Sequence, residues 1–420
     1  MIAFLVISLL LLAFLGFPIA WALGISSVGA IVLDGTYPLM VVAQKFISGM
    51  NSFSLMAIPF FVLAGNLMTS GGITKSLLNI AKTLVGWMRG SISIICIIAS
   101  MFFGAISGSA IATASAIGGM TIPEMIREKY DRSYAAAVTT AAAICGPLIP
   151  PSIGLIVYAS ITSISVRELF LGTAVPGVLY GLVICSIAYA IACKRNYQKH
   201  DRATLKEFLK VLKEGAFAII MPIIILGCIF GGITTPTEAS VIAVAYALII
   251  GLFIQKDLKW NELPTIFYDS AITTTCMMIL IGASKIVGWI FAVTNFSNDL
   301  VNWITASLSS RIAIVALVIL IGLILGCLMD VTCAILIITP VLYPLAETIG
   351  YTQVEFGVIL VTLLTLGHLT PPVGASLLLA NSIAEANITD TIKDVVPFFL
   401  GALGCVILMF MFPDIISFML

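Results

Sequence analysis

Gly104-Ala105-Ile106-Ser107-Gly108-Ser109 and Gly146-Pro147-Leu148-Ile149-Pro150-Pro151-Ser152 interrupt two successive apolar stretches of this chain, and both interruptions return in its second half. Their counterparts are Gly326-Cys327-Leu328-Met329-Asp330 and Gly367-His368-Leu369-Thr370-Pro371-Pro372-Val373, displaced by nearly the same interval. An apolar interior offers no water to a free N–H or C=O. A broken helix survives there only where the freed groups bind something or are buried in protein. Breaks at matching places in two halves of one chain are the sequence pattern of a secondary transporter's binding site.

The rest of the composition agrees with a membrane setting. Hydrophobic residues make up 60% of the 420 and charged residues 10%, which would leave a soluble fold coated in apolar surface. The net charge is zero, so nothing points to nucleic acid as a partner. The nine cysteines contain no Cys-x-x-Cys pair and read as small core residues within apolar runs. Neither a transition metal nor an organic cofactor is expected. The run from Ile2 has no basic segment before it and no small-residue cleavage site, so it reads as a retained span.

Charge sets the topology, because basic loops stay in the cytoplasm. The clearest is Lys194–Lys213, with Arg195, Lys199, Arg202, Lys206 and Lys210 between. Leu205, Phe208, Leu209 and Leu212 recur within it at helical spacing and predict an amphipathic helix. Lys75, Lys82 and Arg89 precede the stretch at about 90–123, and Arg127, Lys129 and Arg132 follow it. With both flanks on one side, the stretch crosses an even number of times, yet it is too short for two full crossings of about 20 residues each. It is predicted to be a re-entrant hairpin turning at Ser107-Gly108-Ser109. The stretch at about 133–165 is predicted to cross once, as two half-helices joined by an unwound Gly146–Ser152, since proline removes a donor and disfavours helix before it. Phe170–Cys193 is a clean span. Upstream, Ile2–Phe17 and Ala20–Leu33 read as helices joined at Pro18, and Ser54–Met68 as a third. The first half then crosses five times from an outside N-terminus.

The second half repeats this order. Pro123, Pro150, Pro151 and Pro176 match Pro344, Pro371, Pro372 and Pro397 at one identical spacing. Pro18 matches Pro236 at a slightly shorter spacing, and Arg89 matches Arg311 at a slightly longer one. Ten of the 17 prolines thus fall into pairs at nearly one spacing. Five crossings is an odd number, so the second repeat is inverted. The expected fold class is an all-α polytopic membrane protein with two inverted repeats, about ten crossings and two re-entrant hairpins. Residues 1–193 form the first repeat, 194–215 a cytoplasmic basic linker with its arm helix, and 216–420 the second repeat. The second hairpin lies at about 311–344 and the second broken helix at about 354–384. Both termini are expected on the periplasmic side.

Helix N-termini present free N–H groups and suit a carboxylate, while unwound carbonyls and hydroxyls suit Na⁺. The cation-site candidates are Ser107, Gly108 and Ser109 facing Gly146, Leu148 and Ile149, and Asp330 and Thr332 facing Gly367 and Thr370. An anionic substrate is expected between them, with Asn66, Ser152, His368, Pro371 and Pro372 as its neighbours. A lone Gly-Ser patch is more often tight helix packing; four breaks in symmetric pairs favour a site. A carboxylate in an apolar run, such as Asp330, is functional by default. Matched to Gly108 in the other repeat, it would make the two cation sites differ in charge. His368 alone is weak evidence for a proton relay. Asn66 and Lys285 lie in the third helix of each half and either pair with a hairpin or pack. Arg89 and Arg311 read as interfacial anchors.

At these residues the chain resembles the large membrane subunit of TRAP transporters (tripartite ATP-independent periplasmic, DctM-like), of the ion-transporter superfamily. The resemblance rests on Gly104-Ala105-Ile106-Ser107-Gly108-Ser109-Ala110, Ile149-Pro150-Pro151-Ser152, Gly232-Ile233-Thr234-Thr235-Pro236-Thr237-Glu238-Ala239 and Thr370-Pro371-Pro372-Val373-Gly374, which together span most of the chain. It implies Na⁺-coupled uptake of a carboxylate, such as a C4-dicarboxylate, a sialic acid or another sugar acid, across the bacterial inner membrane. It implies two partners, a small four-helix membrane subunit and a periplasmic substrate-binding protein. It also implies an elevator, in which hairpins and broken helices slide against a scaffold of Ile2–Leu33, Phe170–Cys193 and their second-half counterparts. The chain reads as an unfused subunit. The alternative is a stand-alone Na⁺/carboxylate symporter of the same superfamily, against which the Thr-Pro-Thr-Glu-Ala motif argues. An intramembrane enzyme is not expected, with two histidines and neither His-Glu-x-x-His nor Gly-x-Ser-x-Gly. Inverted repeats also argue against a channel. The topology is checked by Arg127→Cys, which should react with an impermeant maleimide from the cytoplasmic face only.

Overall fold

A computed structural model describes residues 1–199, 201–308, 310–371 and 374–420. Among the described residues there is no β-strand. The first half contains α1 (Ile2–Phe14), α2 (Ile19–Asp34), α3 (Met40–Met50), α4 (Ala57–Ser70), α5 (Ile73–Val85), α6 (Ser91–Ser107), α7 (Ala110–Arg127), α8 (Arg132–Ala143), α9 (Cys145–Leu148), α10 (Ile153–Thr162) and α11 (Val166–Lys194). The linker carries α12 (Leu205–Glu214). The second half contains α13 (Ala216–Phe230), α14 (Pro236–Ile249), α15 (Leu263–Val293), α16 (Phe296–Ser307), α17 (Arg311–Leu328), α18 (Val331–Thr348), α19 (Gln353–Thr365), α20 (Ala375–Ala384), α21 (Ile388–Met411) and α22 (Asp414–Ser417).

Local chemistry sets many of these ends. Thr204, Thr235 and Thr352 cap α12, α14 and α19, each with a glutamate three residues on that returns the bond: Glu207, Glu238 and Glu355. The Thr-Pro-Thr-Glu motif is therefore a capping box with proline at the first helical position. The predicted amphipathic helix is α12, which meets the apolar α13 at a 63° bend. Among the described residues six helices are long and apolar enough to cross a membrane, and up to nine spans result if each bent pair is one. One such pair is the helix from Arg132 to Leu148 followed by Ile153–Thr162, bent by 41°.

The element boundaries depart from the sequence expectation in places. The first break is narrower than Gly146–Ser152, because α9 keeps Gly146 and Leu148 helical and only 149–152 is unwound. Helices α3 and α5 were not expected. Helix α5 turns Leu77, Ile80 and Ala81 inward while Lys75 and Lys82 face out, so charges that marked a flank belong to an amphipathic helix.

The halves match element by element. Helices α7 and α18 are both 18 residues long and are set apart by the spacing that relates Pro123 to Pro344. The clearest inequality is α15, a single 31-residue helix where the first half has α3 and α4, bent by 60°.

The helices pack as two groups. Helices α1, α2, α3, α4, α14 and α15 pack on one another, and the hairpins, broken helices, α11 and α21 form the second group. Phe170–Cys193 was expected in a scaffold with Ile2–Leu33. Instead α11 packs on α6, α9, α19 and α21. The reason lies in its small residues: Gly172 meets Val354 and Val358, Gly177 meets Leu148 and Ile149, and Gly181 meets Met101. The Tyr180 hydroxyl donates to the Ala141 carbonyl of α8 at 2.8 Å, and Arg195 at the end of α11 pairs with Asp131 and with Asp394 of α21. Arg89 and Arg311 hold the hairpin bases, the former donating to Asn196 at 2.8 Å and the latter lying 4.8 Å from the Tyr351 ring centre.

Each hairpin touches the broken helix of its own half, backbone to backbone. A Cβ on Gly104 would come within 2.9 Å of the Gly146 Cα, and one on Gly367 would overlap the Gly326 carbonyl group. Neither neighbour is a flexible side chain. Gly367→Ala should therefore destabilise the protein by about 3 kcal/mol, the upper end of overpacking penalties. Gly119→Ala, exposed inside α7 with open space around it, should not lower the melting temperature and should raise it slightly.

Candidate functional site

The two hairpin tips meet in one cavity of about 350 Å³. Its wall includes Ser107, Gly108 and Ser109 from the first tip and Asp330 and Thr332 from the second. Asn66 of α4, Thr273 and Met277 of α15, Pro147 and His368 also line it. Thr273 and Met277 lie near the middle of the 31-residue α15. Both hairpin turns are thus deep in the protein, although α17 and α18 are each long enough to pass as spans.

The first tip is built by a glycine and two hydroxyl residues. Helix α6 ends at Ser107, and Gly108 turns the chain at φ +61, where a Cβ would also lie 2.6 Å from the Pro151 carbonyl oxygen. Ser109 then caps α7, its hydroxyl accepting from the Ala112 amide at 3.4 Å. The Ser107 and Thr113 hydroxyls are 3.2 Å apart, and Thr113 donates to the Ser109 carbonyl at 2.8 Å. The tip reaches the first break directly, since the Ile153 amide donates to the Gly108 carbonyl at 3.4 Å. The second tip uses a carboxylate for the same purpose: Asp330 caps α18 by accepting from the Thr332 amide at 2.9 Å.

This geometry corrects the repeat partner of Asp330. Ser109 and Asp330 are the N-caps of matching 18-residue helices, and the spacing between them is that of the paired prolines. Asp330 therefore corresponds to Ser109, and Gly108 corresponds to Met329. One cap is a hydroxyl and the other a carboxylate, so the halves still differ in charge.

The remaining candidates divide. Asn66 lines the cavity and donates to the Ser270 hydroxyl at 2.8 Å, joining α4 to α15 rather than to a hairpin. His368 is buried, lines the cavity and lies 3.3 Å from the Ser376 hydroxyl through Nδ1. Ser152 is buried and caps α10 by accepting from the Leu155 amide at 3.4 Å, away from the cavity wall. Gly146 is pressed against the Ser109 carbonyl. The Leu148 carbonyl faces Gly177 of α11, Ile149 also packs there, and neither lines the cavity. Gly367 packs on Gly326, and the Thr370 hydroxyl donates to the Gly367 carbonyl at 3.1 Å. Pro371 is exposed, and Pro372 lies outside the described residues. Lys285 does not join this site at all; it lines a second cavity. Two residues not singled out from the sequence stand here: Thr273 lines the cavity, and buried Thr113 bonds Ser107 and Ser109 behind the tip. The hydroxyl one helical turn beyond Ser109, and the run Thr273-Thr274-Thr275 inside an apolar helix, are the signals that mark them.

Electrostatically, the cavity combines one carboxylate with several positive helix ends. Ala110, Ile153 and Val331, the first residues of α7, α10 and α18, all line it. Each N-terminus carries the equivalent of about half a positive charge. Asp330 is the one acidic side chain among the described lining residues and is exposed into the space. Hydroxyls, a carboxylate and free amides in one place can hold a small hard cation beside an organic anion.

Residues 6–415 match the family described as "Tripartite ATP-independent periplasmic transporter, DctM component". The chain belongs to this family. A permease protein named for isethionate TRAP transport, DctMQ of Oleidesulfovibrio alaskensis, is 37% identical over 91% of this chain and 60% of its own length. The sialic acid TRAP transporter large permease protein SiaM of Vibrio cholerae is 32% identical over 96% of this chain and 94% of its own. Among solved structures, the YdaH transporter of Alcanivorax borkumensis shares the fold with a TM-score of 0.64, covering 89% of this chain and 88% of that one at 13% identity. This DctM chain is thus a multi-pass membrane protein of a transporter family.

The tip geometry of this DctM-family chain carries its own check. Gly108→Ala must adopt a left-handed conformation that costs about 1–2 kcal/mol and push against Pro151. It should lower the melting temperature and abolish transport, whereas Ser115→Ala, also on the cavity wall, should leave both near wild type.

Proposed function

We propose that this chain is the large membrane subunit of a TRAP transporter that takes up an organic anion, typically a carboxylate, in symport with Na⁺. The observation that carries the reading is the convergence of two hairpin tips and three helix N-termini on one cavity holding Asp330. The N-termini bind the anion, and the hydroxyls and carboxylate of the tips bind the cation. Ser107, Ser109 and Thr113 on one side and Asp330 and Thr332 on the other are the oxygens assigned to Na⁺. Buried Ser152 and the Leu148 and Ile149 carbonyls support the breaks from behind. The names of the relatives, for sialic acid and for isethionate, fit an organic anion as cargo. They also support a tripartite assembly, with a small membrane subunit and a periplasmic binding protein that delivers the cargo, over a stand-alone symporter. The chain acts as a permease and not as an enzyme.

In this reading residues 1–193 and 216–420 are inverted repeats in the bacterial inner membrane, joined by the cytoplasmic 194–215, with both termini periplasmic. The tip cavity extends along α4 to Thr69 and along α7 to Ala116. Those helix ends lead to Lys75 and Arg127, so the cavity lies toward the cytoplasm and the protein faces inward. The group of hairpins and broken helices, which includes α11 and α21, moves as an elevator against α1–α4, α14 and α15.

Sodium binding is measurable without any partner. A ligand present at ten times its Kd stabilises the folded state by about 1.4 kcal/mol per site. Replacing choline chloride by NaCl at constant ionic strength should raise the melting temperature of the purified chain. Asp330→Asn and Ser109→Ala should each remove about half of that rise. A rise that is unchanged in both variants would refute the ion assignment.

A further inference from the structure

A second cavity, of about 390 Å³, lies in file with the first. Three helices run from one to the other. Helix α15 contributes Thr273 to the first and Lys285 to the second, helix α18 contributes Asp330 and then Thr339, and helix α10 contributes Ile153 and then Ser160. At 1.5 Å per residue these steps are about 18, 13 and 10 Å. The second cavity is therefore displaced along the helix axes, away from the end of α4 that leads to Lys75.

Its chemistry is the reverse of the first. Lys45 and Lys285 line it, and neither has an ion pair among the described residues. Lys45 sits 6.0 Å from the centre of the Trp289 ring, which orients its ammonium at the cavity wall. Gly49 of α3 packs on the Lys285 Cβ, so that the stem of Lys285 is held where α3 crosses α15. Thr339 lines the same cavity, and its fully buried hydroxyl has no hydrogen-bond partner among the described residues. A buried polar group left unpaired costs about 1–3 kcal/mol. The neighbouring acid is Glu347, one turn beyond the lining residue Tyr343 on α18, and the Gln353 side chain donates to it at 3.1 Å. Two ammonium groups at one space, with an unpartnered hydroxyl buried in its wall, make a receptor for a carboxylate.

We propose that this cavity is a vestibule that binds the carboxylate of the cargo on the far side of the barrier from the tip cavity. The inference rests on the reading of the cargo as an organic anion. Lys45 and Lys285 attract and pair with the carboxylate, and Thr339 donates to it. The anion then stands in line with the N-termini of α10 and α18 further along the same helices.

The test uses the whole chain in nanodiscs of zwitterionic phosphatidylcholine and reads the rate at which trinitrobenzenesulfonate modifies Lys285, by peptide mass spectrometry. Succinate, gluconate and N-acetylneuraminate are the probes. At least one should slow Lys285 at least fivefold in a saturable way and leave the exposed Lys206 unaffected. Lys45→Gln and Thr339→Val should each raise the half-protecting concentration about tenfold. Thr339→Val should at the same time raise the melting temperature, since it removes an unpaired hydroxyl; a stabilised variant with unchanged protection overturns the role of Thr339 as a ligand. Failure of all three probes to protect wild-type Lys285 overturns the vestibule, and that measurement needs no variant to fold. Protection by phosphatidylglycerol nanodiscs with no carboxylate effect assigns the cavity to a lipid headgroup and overturns it as well. Uptake of the same probes with the partner subunits is measured in parallel. Uptake without protection overturns the vestibule alone, while absence of uptake overturns the reading beneath it and the vestibule with it.

Discussion

Peptide groups freed by a helix break inside an apolar body have to be met by other protein, and here each break is met by the hairpin of its own half. The contact is glycine on glycine, Gly104 to Gly146 and Gly326 to Gly367, with no side chain between. This closeness brings the Gly108 carbonyl within reach of the Ile153 amide, and the Ser109 and Asp330 caps line one cavity. A side chain at any of these glycines would hold the two backbones apart. The site depends on their approach because its donors and acceptors belong to main chain and caps rather than to long side chains that could reach across a gap.

The same constraint explains the electrostatics. A helix that starts in the middle of a membrane protein exposes unpaired amides there, and three such starts share one cavity. The positive ends are local, since the effect of a helix dipole falls off within its first turn. A carboxylate cap at α18 and a hydroxyl cap at α7 satisfy the first amides differently. One contributes a full negative charge to the cavity and the other does not. The cavity is therefore polar on both sides and asymmetric in charge.

The breaks and hairpins were legible in the sequence because glycine and proline act on the backbone, and a backbone rule holds wherever the residue stands. The two tips and the two breaks were readable for that reason, whereas the N-caps at Ser109 and Asp330 and the capping box at Thr235 came from the structure. Register was less readable. Matching Gly104 to Gly326 sets Asp330 against Gly108, and only the starts of α7 and α18 show that the cap residues correspond. Helix α5 was hidden because Lys75 and Lys82, read as topology markers, also form its outer face. The place of α11 was hidden because a clean apolar span carries no sign of which neighbours its glycines meet. The second cavity draws on residues from Lys45 to Tyr343, on α3, α10, α15 and α18, and no local motif joins positions so far apart.

The unbroken α15, standing where the first half has the jointed α3 and α4, has a consequence for the transport cycle. Inverted repeats can in principle reach the opposite state by trading shapes, each half taking the form the other had. That exchange would require α15 to fold at its middle and the α3–α4 joint to straighten. A continuous helix hydrogen-bonded along 31 residues resists such a fold far more than a short linker resists straightening. The wall on one side of the path is a strut and on the other a knee. In the proposed elevator the two end states would then not be mirror images, and the energy needed to open the path would differ between its two mouths.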